Sequence, residues 1–165
     1  MELSKNFYYE GEKHDFWEMV YVDKGSVAVR RDNEEEFILT QGNVLFHKPN
    51  EFHTLMADGK SAPNILIVSF DCDCKAMEFF ENKVAHIGDK ERRLMATIIA
   101  ESETAFSTPL DDPWTIHLER NDNTAVGCEQ FIKISLEWLL LTLLRNGSEK
   151  HSSAPVSLIK ENSQN

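Results

Sequence analysis

Turn signals interrupt the first half of this chain too often for long helices. Phe16 to Val22 is rich in aromatic and β-branched residues and is punctuated at once by Asp23-Lys24-Gly25. Ser26 to Arg31 resumes with Val27 and Val29 at a period of two. Asp32-Asn33 reads as a turn and Glu36 to Leu39 returns, so residues 26–40 are expected to form a hairpin with Glu34-Glu35-Glu36 near its solvated tip. Gln41-Gly42-Asn43 turns again. Val44 to His47 is a short strand stopped by Pro49-Asn50, His53 to Ala57 is another, and Asp58-Gly59-Lys60-Ser61 is a loop. Ile65 to Phe70 is almost wholly apolar, as in a strand covered on both faces. Many short strands with close turns imply an antiparallel sandwich or barrel.

After residue 85 the period changes. Asp89 is placed to cap a helix from Lys90 to about Phe106, with Leu94, Met95, Ile98, Ile99, Ser102, Ala105 and Phe106 in one stripe. Residues 107–123 hold Pro109 and Pro113 and read as a long loop. A second helix is expected from about Ala125 to Arg145, ended by Asn146-Gly147. It carries two apolar stripes. Ile132, Leu136, Leu139, Leu140, Leu143 and Leu144 lie on one side, and Phe131, Ile134, Trp138 and Leu141 lie roughly opposite. Two apolar faces need two things to pack on, and the second face is expected to meet another copy in a homodimer. The organisation expected is a barrel over residues 1–85, a helical dimerisation region over 86–147, and a polar linker or tail over 148–165.

Composition narrows the function. The 165 residues suffice for a hydrophobic core without disulfides or metal. Asp and Glu number 28 against 17 Lys and Arg, a formal charge of -11, which argues against nucleic-acid binding by these residues themselves. The apolar run around Trp138 to Leu144 is too short to span a membrane, and Glu2 and Lys5 follow Met1 where a secretory signal would be apolar. Three cysteines, at 72, 74 and 128, have neither zinc-knuckle spacing nor an even count, and suit reduced thiols in the cytoplasm.

Three polar side chains stand out in the β half. His14 and Glu18 share parity along an extended chain and so point to one face, together with Phe16 and Val20. His53 begins a later strand. If the strands pair, two imidazoles and one carboxylate converge on a pocket with apolar walls. Such a set could bind a divalent metal, could bind the hydroxyl or carboxyl groups of a small ligand, or could satisfy itself as a hydrogen-bond network. No phosphate loop, nucleophile elbow or Ser-His-Asp arrangement is present, and no catalytic residue is assigned.

His14, Glu18 and Gly25 resemble the first motif of the cupin family, and Gly42, Pro49 and His53 its second. The stretches "HDFWEMVYVDKGSVAV", "LTQGNVLFHKPNEFHTL" and "NILIVSFDC" look like the ligand-sensing domain of AraC-type transcriptional regulators. "GCEQFIKISLEWLLLTLLRNG" looks like the helix that ends that domain. The resemblance covers residues 7–147. It implies a mainly β chain with C-terminal helices: a cupin-like double-stranded β-helix, or jelly-roll barrel, followed by two α-helices used in dimerisation.

The resemblance also implies a small-molecule effector, such as a sugar or related metabolite, held in the barrel by His14, Phe16, Glu18, Val20 and His53. DNA would be reached only through a helix-turn-helix domain that these residues do not include. Residues 1–12, with Phe7, Tyr8 and Tyr9, would either close the barrel mouth or form an edge strand. Metal-binding cupins present a second His where this chain has Glu12, and enzymatic ones a Gly where it has Asn50-Glu51. No cofactor is therefore expected. If a divalent metal is held, its ligands are His14, Glu18 and His53, and the chain would be a small metal-dependent cupin enzyme, an isomerase or dioxygenase.

Overall fold

In a computed structural model, which describes residues 1–32 and 35–152, the β half folds into two facing antiparallel sheets. The strands are β1 (Tyr8–Glu12), β2 (Trp17–Lys24), β3 (Ser26–Arg31), β4 (Phe37–Thr40), β5 (Asn43–His47), β6 (His53–Ala57), β7 (Asn64–Phe70) and β8 (Val84–His86). One sheet has the order β1-β6-β3-β4 and the other β7-β2-β5-β8. The fold is a jelly roll. The expected hairpin is β3–β4, paired from Ser26↔Thr40 to Val29↔Phe37, and part of its tip, residues 33 and 34, lies outside the described residues. Chain crossings between sheets occur at Gly25 and Gly42, both with positive φ, where a side chain would be strained.

Strand β2 is buried on both faces, and its alternate residues feed two separate cores. Val20 and Val22 join Val27, Val29, Leu39, Leu45, Leu55 and Ile65 between the sheets. Trp17, Met19 and Tyr21 face outward and join Val44, Phe46, Met95, Ile98, Leu139 and Leu143 beneath the helices. The barrel is thus filled with aliphatic side chains, and Leu3 is buried in the same filling. The N-terminal segment holds there by hydrogen bonds from Leu3 N to Pro63 O and from Ile65 N to Met1 O. Residues 8–12 form an edge strand against β6.

Helices α1 (Asp89–Ala105) and α2 (Cys128–Ser152) cover the outer face of the second sheet. Two sequence expectations are corrected here. Asp89 is not the cap of α1. Gly88 is, with its N–H donating to Glu91 Oε2 at 3.0 Å, while Asp89 pairs with Arg92 at the surface. Nor does Asn146-Gly147 end α2, which continues to Ser152. Asn146 Nδ2 donates to the buried Glu91 at 3.0 Å, and the bare Cα of Gly147 lies where any Cβ would strike the ring of Phe79. Tertiary packing therefore overrides the stop signal. The expected tail begins inside this helix, and residues 153–165 lie outside the described residues. A 3-10 helix over Lys75–Phe80 and strand β8 had no clear sequence signal.

The two stripes of the second helix separate as expected. Leu139 and Leu143 are buried, and Ile132, Leu136, Leu140 and Leu144 pack against the same core. Phe131, Ile134, Trp138 and Leu141 are 46% to 61% exposed. Residues 107–123 form a loop that carries Trp114 onto Phe7 and Tyr9, each at 5.8 Å between ring centroids. Among the described residues no helix is long and apolar enough to cross a membrane.

Candidate functional site

The polar end of the barrel is built by strand register. Glu12, at the end of β1, pairs with His53, at the start of β6. Glu18, near the start of β2, pairs with His47, at the end of β5. The two sheets face each other, so these four side chains meet across the barrel end. His14 arrives by another route. It lies in the bend before β2, and its carbonyl accepts the Asn50 N–H at 2.7 Å. Lys48-Pro49-Asn50-Glu51 is a tight turn closed by Glu51 N to Lys48 O at 3.1 Å, with Asn50 at φ 65°. Proline and then a positive-φ asparagine are the residues a type II turn requires. That turn brings His14, Glu51 and His53 together.

Glu12, His14, Glu18 and His53 each offer a donor atom, all within 4.8 Å of one another. Backbone carbonyls fix both imidazoles. His14 Nδ1–H donates to Phe16 O at 2.9 Å and His53 Nδ1–H to Glu51 O at 3.1 Å. Both Nε2 atoms are buried and turned toward carboxylates without making a hydrogen bond. His53 Nε2 stands 3.3 Å from Glu18 and 3.6 Å from Glu12, and His14 Nε2 stands 3.6 Å from Glu18. A charged N–H···O contact normally closes to about 2.7–2.9 Å.

The electrostatics are correspondingly strong. Burial would push the Glu18 carboxyl up, but His14 and His53 outweigh it and hold it at about 2. Burial would push His53 down, but Glu12 and Glu18 outweigh it and raise it to about 10. His14 is raised by its contact with Glu18. Burial lowers His47, against the pull of Glu51.

The expected convergence of His14, Glu18 and His53 holds, and Phe16 stacks on His14 with 3.9 Å between ring centroids. Val20 lies on the same side of β2 as Glu18, one pleat deeper in the dry filling. Three residues were not singled out for the site. Glu12 belongs to it, brought there by a register shift between Tyr9 and Glu12 around Gly11. His47 and Glu51 form a buried pair beneath it, His47 Nδ1–H donating to Glu51 Oε1 at 2.7 Å, and His47 stacks on His53 at 3.9 Å. The four-residue spacing from His47 to Glu51 across a Pro-Asn turn was the available signal. Arg31, paired with His53 in register, is also buried at this end. A cleft of about 430 Å³ lies elsewhere, between the N-terminal segment and Trp114.

Residues 4–74 match the family model of the AraC-like ligand binding domain. The matched residues span the barrel strands from β1 to β7. All four clustered residues fall among them. The domain's fold is shared with apo ToxT from Vibrio cholerae, at 12% identity and a TM-score of 0.55, over 89% of this chain and 55% of that one. The chain thus spans about half the length of the ToxT chain. Smaller parts of it align with a double-stranded β-helix cupin from Methanocaldococcus jannaschii, at 12% identity and TM-score 0.32 over 41% of this chain and 57% of that one. DMSP lyase DddQ from Ruegeria pomeroyi aligns at 17% identity and TM-score 0.36 over 49% and 37% of the two chains. No curated protein matches the sequence closely enough to count as a relative.

Proposed function

We propose that this chain is the effector-sensing and dimerisation part of a cytoplasmic AraC-type transcriptional regulator, and not an enzyme. A small polar metabolite, with a sugar among the candidates, binds at the polar end of the barrel. His14, Glu18 and His53 meet its hydroxyl or carboxyl groups, Phe16 supplies apolar wall and Val20 backs the site. One observation carries this reading. In a stretch that matches the AraC-like ligand binding domain model, the barrel is filled with aliphatic side chains except at one end, where the buried Nε2 atoms of His14 and His53 face carboxylates without a hydrogen-bond partner. Buried polar groups left so are poised for a partner.

The outer face of α2 is the homodimer seam, since Phe131, Ile134, Trp138 and Leu141 form one apolar stripe in solvent. Effector binding changes the relation of that seam to a helix-turn-helix domain beyond these residues, through which the regulator meets DNA. A signal requires different affinity for two arrangements. The test is a thermal-shift screen of sugars and small acids in chelator. A ligand at a hundred times its Kd adds about 2.7 kcal/mol to stability. A hit lost in Glu18→Gln supports the reading, and a hit that persists in Glu18→Gln moves the site elsewhere.

A second reading, a metal-dependent cupin isomerase or dioxygenase, is favoured by the two buried Nε2 atoms facing carboxylates. Turnover of a substrate by metal-loaded protein would establish it.

A further inference from the structure

Within the long loop, residues 114–118 have the alternation of a half-buried strand, but their apolar side stands in solvent. Trp114, Ile116 and Leu118 share parity and are 61%, 85% and 47% exposed. The run from Thr115 to Glu119 has neither turn nor bend. It is held at both ends. Ser107 N–H donates to Glu119 O at 2.9 Å, Glu119 N–H to Thr108 Oγ1 at 2.8 Å and Asn121 N–H to Ala105 O at 2.8 Å. At the other end Thr115 N–H donates to Asp112 O at 3.2 Å, and Trp114 rests on Phe7 and Tyr9. Glu119 thus spends both backbone groups on residues 107 and 108. In an extended chain Leu118 and Ile116 turn theirs to the opposite edge. Among the described residues neither of these two makes a backbone hydrogen bond. An open edge with an apolar side is a template for another strand.

We propose that residues 114–118 are a docking strand for an extended, basic segment of another protein. That segment adds by β-pairing along the edge that Ile116 and Leu118 present. Charge selects the partner. Asp111, Asp112, Glu119 and Asp122 flank the strand, and the arginine among them, Arg120, is tied to Glu129 at 2.8 Å. A second copy brings the same four carboxylates and the same formal charge of -11, which opposes self-pairing. The cleft of about 430 Å³ adjoins one end of the strand, with Phe7, Tyr8, Trp114 and Glu2 in its lining. Aromatic faces and a carboxylate match the apolar stem and charged head of arginine or lysine. The partner segment therefore carries apolar residues at alternate positions and a basic residue that enters the cleft. A contact of this size belongs with transient encounters. The docking strand shares no residue with the barrel-end cluster and does not depend on the effector reading.

The probe is a blocked peptide that alternates valine and threonine, with arginine at both ends, added to the whole chain. Amide hydrogen exchange is followed by NMR. Saturating peptide should slow exchange at Ile116 and Leu118 by about tenfold or more. Glu119, whose amide is already bonded, should change little. The same peptide N-methylated throughout keeps its charge but cannot complete a ladder, and should bind about tenfold more weakly or worse. Ile116→Lys alters a side chain that is 85% exposed and keeps the fold, which circular dichroism checks. It should weaken binding of the unmethylated peptide by a similar factor, and Glu2→Gln should weaken it severalfold. No protection at Ile116 and Leu118 with millimolar peptide, or equal binding of the N-methylated peptide, overturns the proposal. Protection of the same amides that grows with protein concentration alone also overturns it, by making a second copy the occupant.

Discussion

Glu18 stays charged in a nearly dry environment only because His14 and His53 face it, and the mutual dependence has a pH signature. Its carboxyl falls from 4.5 to about 2 on folding, so its stabilising share is in place above pH 4.5 and drains away as pH drops toward 2. His53 rises from 6.5 to about 10, so its share is in place below pH 6.5 and is lost as pH climbs toward 10. In metal-free protein the pair therefore contributes fully only between about pH 4.5 and 6.5. Melting temperatures taken across both limbs should fall on either side of that window, and Glu18→Gln should make the alkaline fall shallower. Superimposable alkaline limbs would contradict the coupling. At this scale the sequence was partly readable. Parity put Glu18 and Val20 on one side of β2, but His14 reaches the cluster from a bend, held by an asparagine turn that period-two reasoning does not describe. Glu12 was set aside as a departure from the cupin pattern, and the bulge at Gly11 that aims it at His53 leaves no period-two signal.

Elements reveal where packing outvotes local preference. Strand runs, the β3–β4 hairpin and both helices follow from periodicity, because each has a face to bury. Strand β8 is three residues long and the 3-10 helix six, too short for a period to show. The stop at Asn146-Gly147 failed because Glu91 and Phe79 bond and pack with those two residues. The two faces of α2 should respond differently to substitution. Leu139→Ala opens a cavity beneath the helix and should cost about 2–5 kcal/mol in chemical denaturation. Trp138→Glu lies on the outer face and should change the stability of a single chain by about 0.5 kcal/mol or less. In sedimentation it should convert a dimer to a monomer, and an unchanged mass would remove that seam. Gly11→Ala strains a residue at φ 117° and drives a methyl toward Phe52 and the His53 carbonyl. It should displace Glu12 from beside His53 and loosen β1, read as faster hydrogen exchange over residues 8–12, and unchanged exchange there would contradict the strain.

On the scale of the molecule, the two cores divide the work: one fills the barrel, and the other fastens the helices to its outside. Sequence reading recovered that division for α2 but not for β2, since a strand covered twice has no polar side to alternate with. β2 lies between the two cores. Glu18 looks into the barrel end, while its neighbours Trp17 and Met19 are embedded in the layer with Leu139 and Leu143 of α2. Close-packed interiors deform little and pass strain onward. A ladder rung gripped from above and below cannot bow by itself. Whatever pulls on the carboxylate at one end of this rung tugs, within a single residue, on the floor beneath the long helix.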